Sequence, residues 1–173
     1  MSCGYCEKDA IFKCSVCAKL LCADHTKLGA TCMLPGKKNT LTFAVHKAKT
    51  EEEKMCIREF VRRFWGEEEQ LTFDREFAVW KLPAYIAKVE NAVAGFVSFA
   101  ELNDDVLIVA LGVLPRYQGS GLGSGLVQSV EDETKKLGKR RILVATSNDD
   151  LPALAFYQSH GFQIFEVKPN VIA

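Results

Sequence analysis

Two features of the sequence predict a mixed α+β fold with a mostly antiparallel sheet and flanking helices, preceded by a small zinc-binding domain. Three apolar runs with strand-like composition, at 84–90, 93–102 and 106–113, follow one another with short polar turns between them. Six of the 7 cysteines lie near the amino terminus, where cysteine and histidine residues recur in pairs separated by two residues. That spacing is typical of metal ligands.

Length and charge limit the classes of function. The chain has 173 residues, so we expect one full domain at 41–173, joined by a linker at 36–40 to a module at 1–35. Lysine and arginine number 22, as do aspartate and glutamate, which gives no reason to expect nucleic acid or a membrane as a partner. We see neither a signal pattern nor a membrane-length apolar run, so we expect a cytoplasmic protein.

The amino-terminal module contains three ligand pairs. The metal candidates are Cys3, Cys6, Cys14, Cys17, Cys22, His25 and Cys32. Two side chains of one tight turn can share a tetrahedral ion, and the apolar residues here are too few for a core without metal. The module therefore predicts structural zinc, one or two ions, with either a purely structural role or a macromolecular partner.

The larger domain begins with a strand and a helix. Residues 41–47 alternate apolar and polar side chains, which predicts a strand with His46 on the face opposite Val45. Thr50 followed by three glutamates favours a helix start, and Gly66 favours its end. Residues 67–83 give no clear pattern. The three-stranded meander then follows, with a turn at Glu90-Asn91.

A glycine-rich stretch follows the third of these strands. Glycines at 119, 121, 123 and 125 separate the strand from a helical apolar face that begins at Leu122 and ends near Gly138. Unpaired backbone N–H groups at such a helix start suit a phosphate. No lysine follows these glycines, which excludes a nucleotide P-loop, and the spacing does not meet the dinucleotide pattern.

The last part of the chain predicts three more elements. Residues 141–146 form an apolar run that predicts a buried strand. The polar residues at 148–150, followed by Pro152, favour the start of a helix. A strand at 162–167 follows.

The glycine-rich stretch resembles the GNAT superfamily of acyl-CoA N-acyltransferases. The signature V-x-P-x-x-Q-G-x-G-x-G is met by Val113, Pro115, Gln118, Gly119, Gly121 and Gly123. A second family signature, A-x-x-F-Y-x-x-x-G-F, is met by Ala153, Phe156, Tyr157, Gly161 and Phe162. The resemblance covers about residues 40 to 168. It implies transfer of an acetyl group from acetyl-CoA to an amine.

The resemblance also implies which residues bind and react. Tyr157 would be the catalytic acid that protonates the departing thiolate, and a backbone N–H near Val113 would polarise the thioester. The pantetheine arm would pair with the edge of the strand and the pyrophosphate would sit on the loop. The implied cofactor-binding residues are Leu111, Gly112, Val113, Gln118, Gly119, Ser120, Gly121, Leu122, Gly123, Ser124, Asn148 and Tyr157.

The order of the amino-terminal pairs resembles B-box-type cross-brace zinc domains. This resemblance implies one zinc on Cys3, Cys6, Cys22 and His25, and a second on Cys14, Cys17, Cys32 and an eighth group. His46 or an aspartate would complete the second site, or the site would be absent.

Several alternatives stay open at this level. The sequence does not identify the general base. The candidates are Glu101, Asp104, Asp105 and a carboxylate of the 67–69 run; a water chain is another alternative, and an amine that arrives neutral is a third. The acceptor is a protein amine, a small amine or an amino acid, and the acyl chain length is open. Members of the family usually have one more strand after the second signature, and this sequence ends before it. Three explanations stay open: the sequence is a fragment, the strand is missing, or another subunit supplies it. An open sheet edge would favour a homo-oligomer. The alternative function is a non-catalytic zinc-mediated interaction protein on a CoA-binding scaffold.

Overall fold

The computed structural model describes residues 41–72 and 75–169, together with four short strands before them. The chain divides into two compact units. One comprises residues 39–145, and the other comprises residues 1–38 with 146–173. The unit of residues 39–145 contains the sheet and two helices, whereas the other contains two small hairpins and one helix.

The hairpins of the second unit lie near the amino terminus. Their strands are β1 (Phe12–Lys13) paired with β2 (Leu20–Leu21), and β3 (Thr26–Lys27) paired with β4 (Thr31–Cys32). Both pairs are antiparallel.

A five-stranded sheet is the centre of the unit of residues 39–145. Its strands are β5 (Ala44–Lys47), β8 (Ala84–Val89), β9 (Ala92–Glu101), β10 (Asp105–Val113) and β11 (Arg141–Val144), with β6 (Glu69–Thr72) and β7 (Arg75–Ala78) forming a separate hairpin. The spatial order is β11-β10-β9-β8-β5. All neighbours are antiparallel except β10 and β11, which are parallel. The predicted mixed α+β fold with a mostly antiparallel sheet is therefore confirmed.

The turn between β8 and β9 forms where the sequence predicts it. Glu90 and Asn91 both have positive φ angles, 48° and 68°. Two consecutive residues of this kind twist a two-residue hairpin in the same sense as its strands, and asparagine tolerates the conformation well. The strands on either side pair with each other from Ala84 to Val89.

The first helix, α1 (Glu51–Trp65), begins and ends at the predicted residues. The Thr50 side chain accepts the backbone N–H of Glu53, and the Glu53 side chain returns to the backbone of Thr50, which completes a capping box. At the other end Gly66 adopts a left-handed conformation with φ of 78°. Ile57 and Val61 of this helix are buried against one face of the sheet.

Glu53 also connects α1 to the sheet. Its carboxylate lies 2.8 Å from the Nε2 of His46 on β5 and 3.0 Å from the Nζ of Lys88 on β8. The His46 hydrogen bond, the backbone N–H of Lys49 and the Lys88 hydrogen bond hold the pKa of Glu53 far below its usual range. A carboxyl group with a depressed pKa stabilises the fold above its ordinary pKa, near 4.5, and that contribution declines as the pH falls below this value.

We therefore expect Glu53→Gln to lower the free energy of unfolding at pH 7 by about 1–2 kcal/mol. The difference from wild type should shrink as the pH is lowered below about 4.5, because the wild-type carboxylate then loses its advantage. Urea unfolding across this pH range measures both effects. Glu51→Gln is the matched control, since the exposed Glu51 pairs only with Lys54 in the described part of the chain. A pH-independent loss in Glu53→Gln would contradict this role.

The second helix, α2 (Leu122–Lys136), covers the opposite face of the sheet. Leu122, Leu126 and Val130 are fully buried there. A Cβ atom on Gly125 would lie 2.9 Å from the Phe43 ring, so the glycine permits the close approach of α2 to this side of the sheet. Farther along, Glu133 accepts hydrogen bonds from Lys47 and Tyr85.

One predicted strand is wrong and another is less buried than expected. Residues 162–167 form no strand, and the side chains of Ile164, Phe165 and Val167 are exposed. A strand needs a hydrogen-bonded neighbour, and none pairs with this segment among the described residues. β11 is half-buried rather than buried, because it lies at the edge of the sheet. None of the helices that the structure describes has the length and apolar composition that crossing a bilayer requires.

Candidate active site

The edge of β10 that faces β11 is paired over only half its length. β11 pairs with β10 from Asp105 to Ile108, and beyond that point no described strand continues the pairing on this side. A bulge follows, since Ile108 lies opposite Phe99 whereas Ala110 lies opposite Ser98. The second half of β10 therefore has an open edge, which contains the predicted residues Leu111, Gly112 and Val113.

The direction of the backbone groups on that edge follows from the ladder with β9. The Leu114 N–H donates to the Ala94 carbonyl at 2.8 Å, and backbone groups alternate direction along an antiparallel pair. Gly112 therefore points its N–H toward β9. Leu111 and Val113 point theirs to the open edge, where an extended molecule could pair with them as an added strand.

The loop after β10 is held by its own hydrogen bonds. Residues Pro115–Tyr117 form a 3-10 turn, and the Gln118 side chain donates from Nε2 to the Val113 carbonyl at 3.2 Å. The Ser120 hydroxyl donates to the Tyr117 carbonyl. Gln118 therefore connects the loop to the open end of β10, a role that its position in the signature does not reveal.

The glycines of the loop turn the chain into α2. Gly119 and Gly121 have φ angles of 76° and 95°, a region that L side chains rarely adopt. Gly121 is the N-cap residue, has no side-chain cap, and its carbonyl accepts the N–H of Gly125 at 3.0 Å. The N–H groups of Leu122 and Gly123 therefore precede the helical ladder and carry partial positive charge.

The space in front of the N-cap is open. A Cβ atom built on Gly121 would meet nothing within 4 Å. The loop thus has room beside its N-cap residue, and the backbone N–H groups of a helix start favour a phosphate or pyrophosphate group. Ser124, the last predicted cofactor-binding residue of this stretch, lies within the first turn of α2.

The other predicted residues of the site, Asn148 and Tyr157, belong to the unit that contains residues 146–173. Asn148 lies in an exposed turn before α3 (Leu151–Ser159), and the Asp150 side chain caps this helix by accepting the N–H of Ala153. Tyr157 lies in the second half of α3. Their roles toward acetyl-CoA stay predictions.

Tyr157 packs against two aromatic rings within its unit. Its ring makes edge-to-face contacts with Phe156 and Phe162, at centroid distances of 5.3 Å and 5.4 Å. The Phe162 N–H also donates to the Tyr157 carbonyl at 3.1 Å. Burial, and then the negative charge of Asp150, raises the pKa of the Tyr157 hydroxyl well above its ordinary value. The hydroxyl therefore keeps its proton at neutral pH.

Three of the carboxylates considered as a base lie at the wrong end of the sheet. Glu101, Asp104 and Asp105 surround the β9–β10 turn, whereas the open edge lies at the other end of β10, roughly 20 Å or more away at about 3.3 Å per residue. Asp105 also forms a two-bond ion pair with Arg141, at 3.0 Å and 2.7 Å, which lowers the pKa of its carboxyl group.

Another carboxylate considered as a base, Glu68, already has cationic partners. Arg58 and Arg62 donate to its two oxygens at 2.8 Å and 2.6 Å. These contacts, with the Arg58 hydrogen bond first, lower the pKa of Glu68. The other two carboxylates of this run, Glu67 and Glu69, form no ion pair with any of the described residues.

An aromatic cluster lies on the α1 side of β10. Phe60, Phe64 and Trp65 of α1 pack around Phe96 of β9, with ring centroids 5.5–6.2 Å apart. A Cβ atom on Gly112 would lie 3.0 Å from the Phe64 ring. The spacing of these rings on α1 indicates a helix face, but only the packing shows that it meets β10 beside the open edge.

The predicted metal site receives no structural support. The seven candidate ligands lie outside the residues whose side chains the structure describes. Among the described side chains, no three or more of His, Cys, Asp and Glu form a group that could hold a metal ion. His46, one alternative for the eighth ligand, contacts Glu53 instead.

The sequence is similar to a known family and to known proteins. The family model described as "Acetyltransferase (GNAT) family" matches residues 51–162. The uncharacterized protein YdhI of Bacillus subtilis (strain 168) is 29% identical over 120 residues, which cover 69% of this chain and 74% of that protein. A second uncharacterized protein of that organism, YxbD, is 22% identical over the same shares.

Solved structures show the same fold. AAC(6')-Iy in complex with a bisubstrate analog, CoA-S-monomethyl-acetylneamine, has a TM-score of 0.58 at 18% identity and covers 73% of this chain and 98% of its own. The ribosomal-protein-alanine N-acetyltransferase of Brucella melitensis biovar Abortus 2308 has a TM-score of 0.60 at 12% identity, covering 76% and 99%. At these identities the likeness shows the fold alone.

Proposed function

The chain belongs to the GNAT acetyltransferase family and is an acetyl-CoA-dependent N-acetyltransferase, and we propose that the open edge of β10 and the glycine loop together hold acetyl-CoA for transfer to an amine. The observation that carries this proposal is the continuity of the two features. Val113 ends the open edge, and its carbonyl accepts the Gln118 side chain of the loop. An extended molecule with a phosphate end could therefore bind along the edge with its phosphates on the loop.

Residues 118–124 would hold the pyrophosphate through backbone N–H groups, because a helix start and left-handed glycines expose several of these donors together. The pantetheine arm would pair with Leu111 and Val113 as an added strand, and Asn148 would help to hold it. The Val113 N–H would donate to the thioester carbonyl oxygen. A fixed backbone donor of this kind stabilises the negative charge that develops on that oxygen.

The chemistry would be direct transfer. The lone pair of the acceptor amine attacks the thioester carbon, the C–S bond breaks, and an amide forms. Tyr157 would give its proton to the departing thiolate, so that CoA leaves as the free thiol. An amine that arrives protonated first loses one proton to water or to a carboxylate of the 67–69 run, and an amine that arrives neutral does not need this step. After the attack the nitrogen loses one further proton, which returns through water to the Tyr157 oxygen, so that the acid is restored.

A thiol-release assay tests this function. Wild-type protein is mixed with acetyl-CoA and a panel of small amines, amino acids and amine-bearing peptides, and free CoA thiol is measured together with the acetylated product. We expect saturable release that depends on the amine. A chain that binds acetyl-CoA but acetylates no amine would instead favour the alternative, a non-catalytic interaction protein on a CoA-binding scaffold. Absence of acetyl-CoA binding would contradict the proposed site.

The amino-terminal part would add a zinc module. We extend the proposal to one or two zinc ions on the cysteine and histidine pairs of residues 1–35. The module would either recruit an acceptor or a protein partner, or have a purely structural role. Thiolate-rich sites with four protein ligands are structural rather than catalytic. A cytoplasmic location belongs to the same proposal, since thiols stay reduced there. Self-association through an open sheet edge also stays a prediction.

Removal of metal should unfold this module and spare the larger domain. We expect about one or two zinc ions per chain by elemental analysis, because four ligands serve each ion. Chelation should raise the reactivity of the cysteines and change the circular dichroism. A double replacement of Cys3 and Cys6 by serine should lower the zinc content, whereas Cys56→Ser serves as control because Cys56 is an exposed, free cysteine on α1. Unchanged cysteine reactivity after chelation would contradict the zinc module.

A further inference from the structure

The two faces of the sheet are covered by different helices. Tyr85 bonds to Glu133 and Gly125 packs on Phe43, so these sheet residues face α2 and the glycine loop. Gly112 and Phe96 face α1. A cofactor whose phosphates rest on the start of α2 approaches the open edge from the α2 face. The α1 face is therefore the side from which an acceptor can reach the thioester.

The part of that face next to Gly112 is packed with aromatic rings. We call Phe60, Phe64, Trp65 and Phe96 the aromatic wall. Phe64 occupies the space that a side chain at Gly112 would need, with ring atoms 3.0 Å and 3.1 Å from an ideal Cβ. Phe96 lies directly opposite Gly112 in the ladder and one residue from the partner of Val113.

Trp65 is the member of the wall that an acceptor could reach. Its ring centroid lies 5.5 Å from that of Phe64, and it meets the Phe96 ring edge-on at 6.2 Å and 88°. Yet 41% of the residue is exposed. Single exposed apolar residues are common on protein surfaces, so this exposure alone does not indicate a role. The position of Trp65 does, because its accessible ring contacts Phe96, which lies opposite Gly112 in the ladder.

From this geometry we propose that the acceptor is an amine carried on an aromatic or flat apolar skeleton, which packs on Trp65 beside Gly112. The ring of such a molecule would make offset or edge-to-face contacts with the wall. A protonated amine would first be attracted by the ring faces and would lose its proton before attack. The proposal rests on the proposed function, since it concerns the acceptor of the same reaction.

The test compares acceptors and variants in the thiol-release assay with the full chain. Tryptamine and phenethylamine represent the proposed class, and glucosamine and spermidine represent an aminosugar and a polycation. We expect kcat/KM for tryptamine to exceed that for glucosamine and spermidine by at least about ten-fold. Trp65→Ala should raise the KM for tryptamine about ten-fold and leave the Kd for acetyl-CoA unchanged, and Trp65→Phe should restore most of the loss.

Leu137→Ala is the control, because Leu137 is a partly exposed apolar residue at the C-terminal end of the other helix, α2. It should leave the KM for tryptamine unchanged. If the wild type prefers glucosamine or spermidine, the inference is overturned and the proposed function stays intact. This comparison uses only the wild type, so it does not depend on whether a variant folds. Equal effects of Trp65→Ala on all four amines would also overturn it. Failure to bind acetyl-CoA at all would overturn the proposed function and this inference together.

Discussion

Replacing Gly121 with valine is expected to lower the affinity for acetyl-CoA by about ten- to one hundred-fold, the loss expected when one or more hydrogen bonds to a charged group fail. The glycine has φ of 95°, and a Cβ atom there would meet nothing within 4 Å. A valine would place methyl groups where the pyrophosphate is proposed to lie, and its β-branched side chain would push the backbone away from this conformation. Calorimetric titration with acetyl-CoA measures the change.

Gly138→Val separates the loss of the anion site from backbone strain. Gly138 lies just past the other end of α2, has φ of 66°, and a Cβ atom there also meets nothing within 4 Å. Both variants should therefore lose a similar free energy of unfolding, about 1–3 kcal/mol. Only Gly121→Val should lose affinity for acetyl-CoA. Equal affinities in the two variants would remove Gly121 from the proposed site.

Tyr157→Phe is expected to lower kcat by about 10²–10⁴-fold while the Kd for acetyl-CoA stays nearly unchanged. The variant keeps the ring that packs between Phe156 and Phe162 and removes only the hydroxyl. An acid works only while it holds its proton. Because the pKa of Tyr157 is raised by burial and by Asp150, the protonated form persists to higher pH than in an ordinary tyrosine. The wild type should therefore show no loss of kcat from this group below about pH 10.

Tyr85→Phe is the control for loss of a tyrosine hydroxyl. The Tyr85 hydroxyl donates to Glu133 at 2.8 Å, and burial with this hydrogen bond raises its pKa to about 12. Its removal should cost about 1–2 kcal/mol of stability and leave kcat within about two-fold of wild type, because it connects β8 to α2 and does not react. Steady-state kinetics of both variants with one acceptor decides the matter. If Tyr157→Phe turns over as fast as wild type, Tyr157 is not the acid.

Elements that depend on neighbouring residues could be predicted closely. The limits of α1 follow from Thr50, Glu53 and Gly66, which all act within one helical turn of the ends. The turn at Glu90-Asn91 follows from residues that accept positive φ. The strand predicted at 162–167 failed because apolar composition alone does not provide a neighbouring strand to bond with.

The sequence predicted the glycine loop proposed to hold acetyl-CoA, but it did not indicate the aromatic residues proposed to meet the acceptor. Gly121 and its neighbours form a local signature that predicts the start of α2, and the structure adds the left-handed angles of Gly119 and Gly121. Trp65 and Phe96 are separated by thirty residues in sequence and meet only through packing of α1 on β9. Asp105 was considered as a base because it is close to the loop in sequence. Along an extended strand that closeness becomes a large distance.

The sequence by itself determined the family, the helix limits, the meander and the glycine loop, because each depends on residues a few positions apart whose backbone preferences and hydrogen bonds are local. Only the tertiary structure decided where β11 stops pairing with β10, which carboxylates lie away from the open edge, and which side chains surround Gly112. These features depend on contacts between distant residues, such as Gly112 with Phe64, that form when two helices close on opposite faces of one sheet.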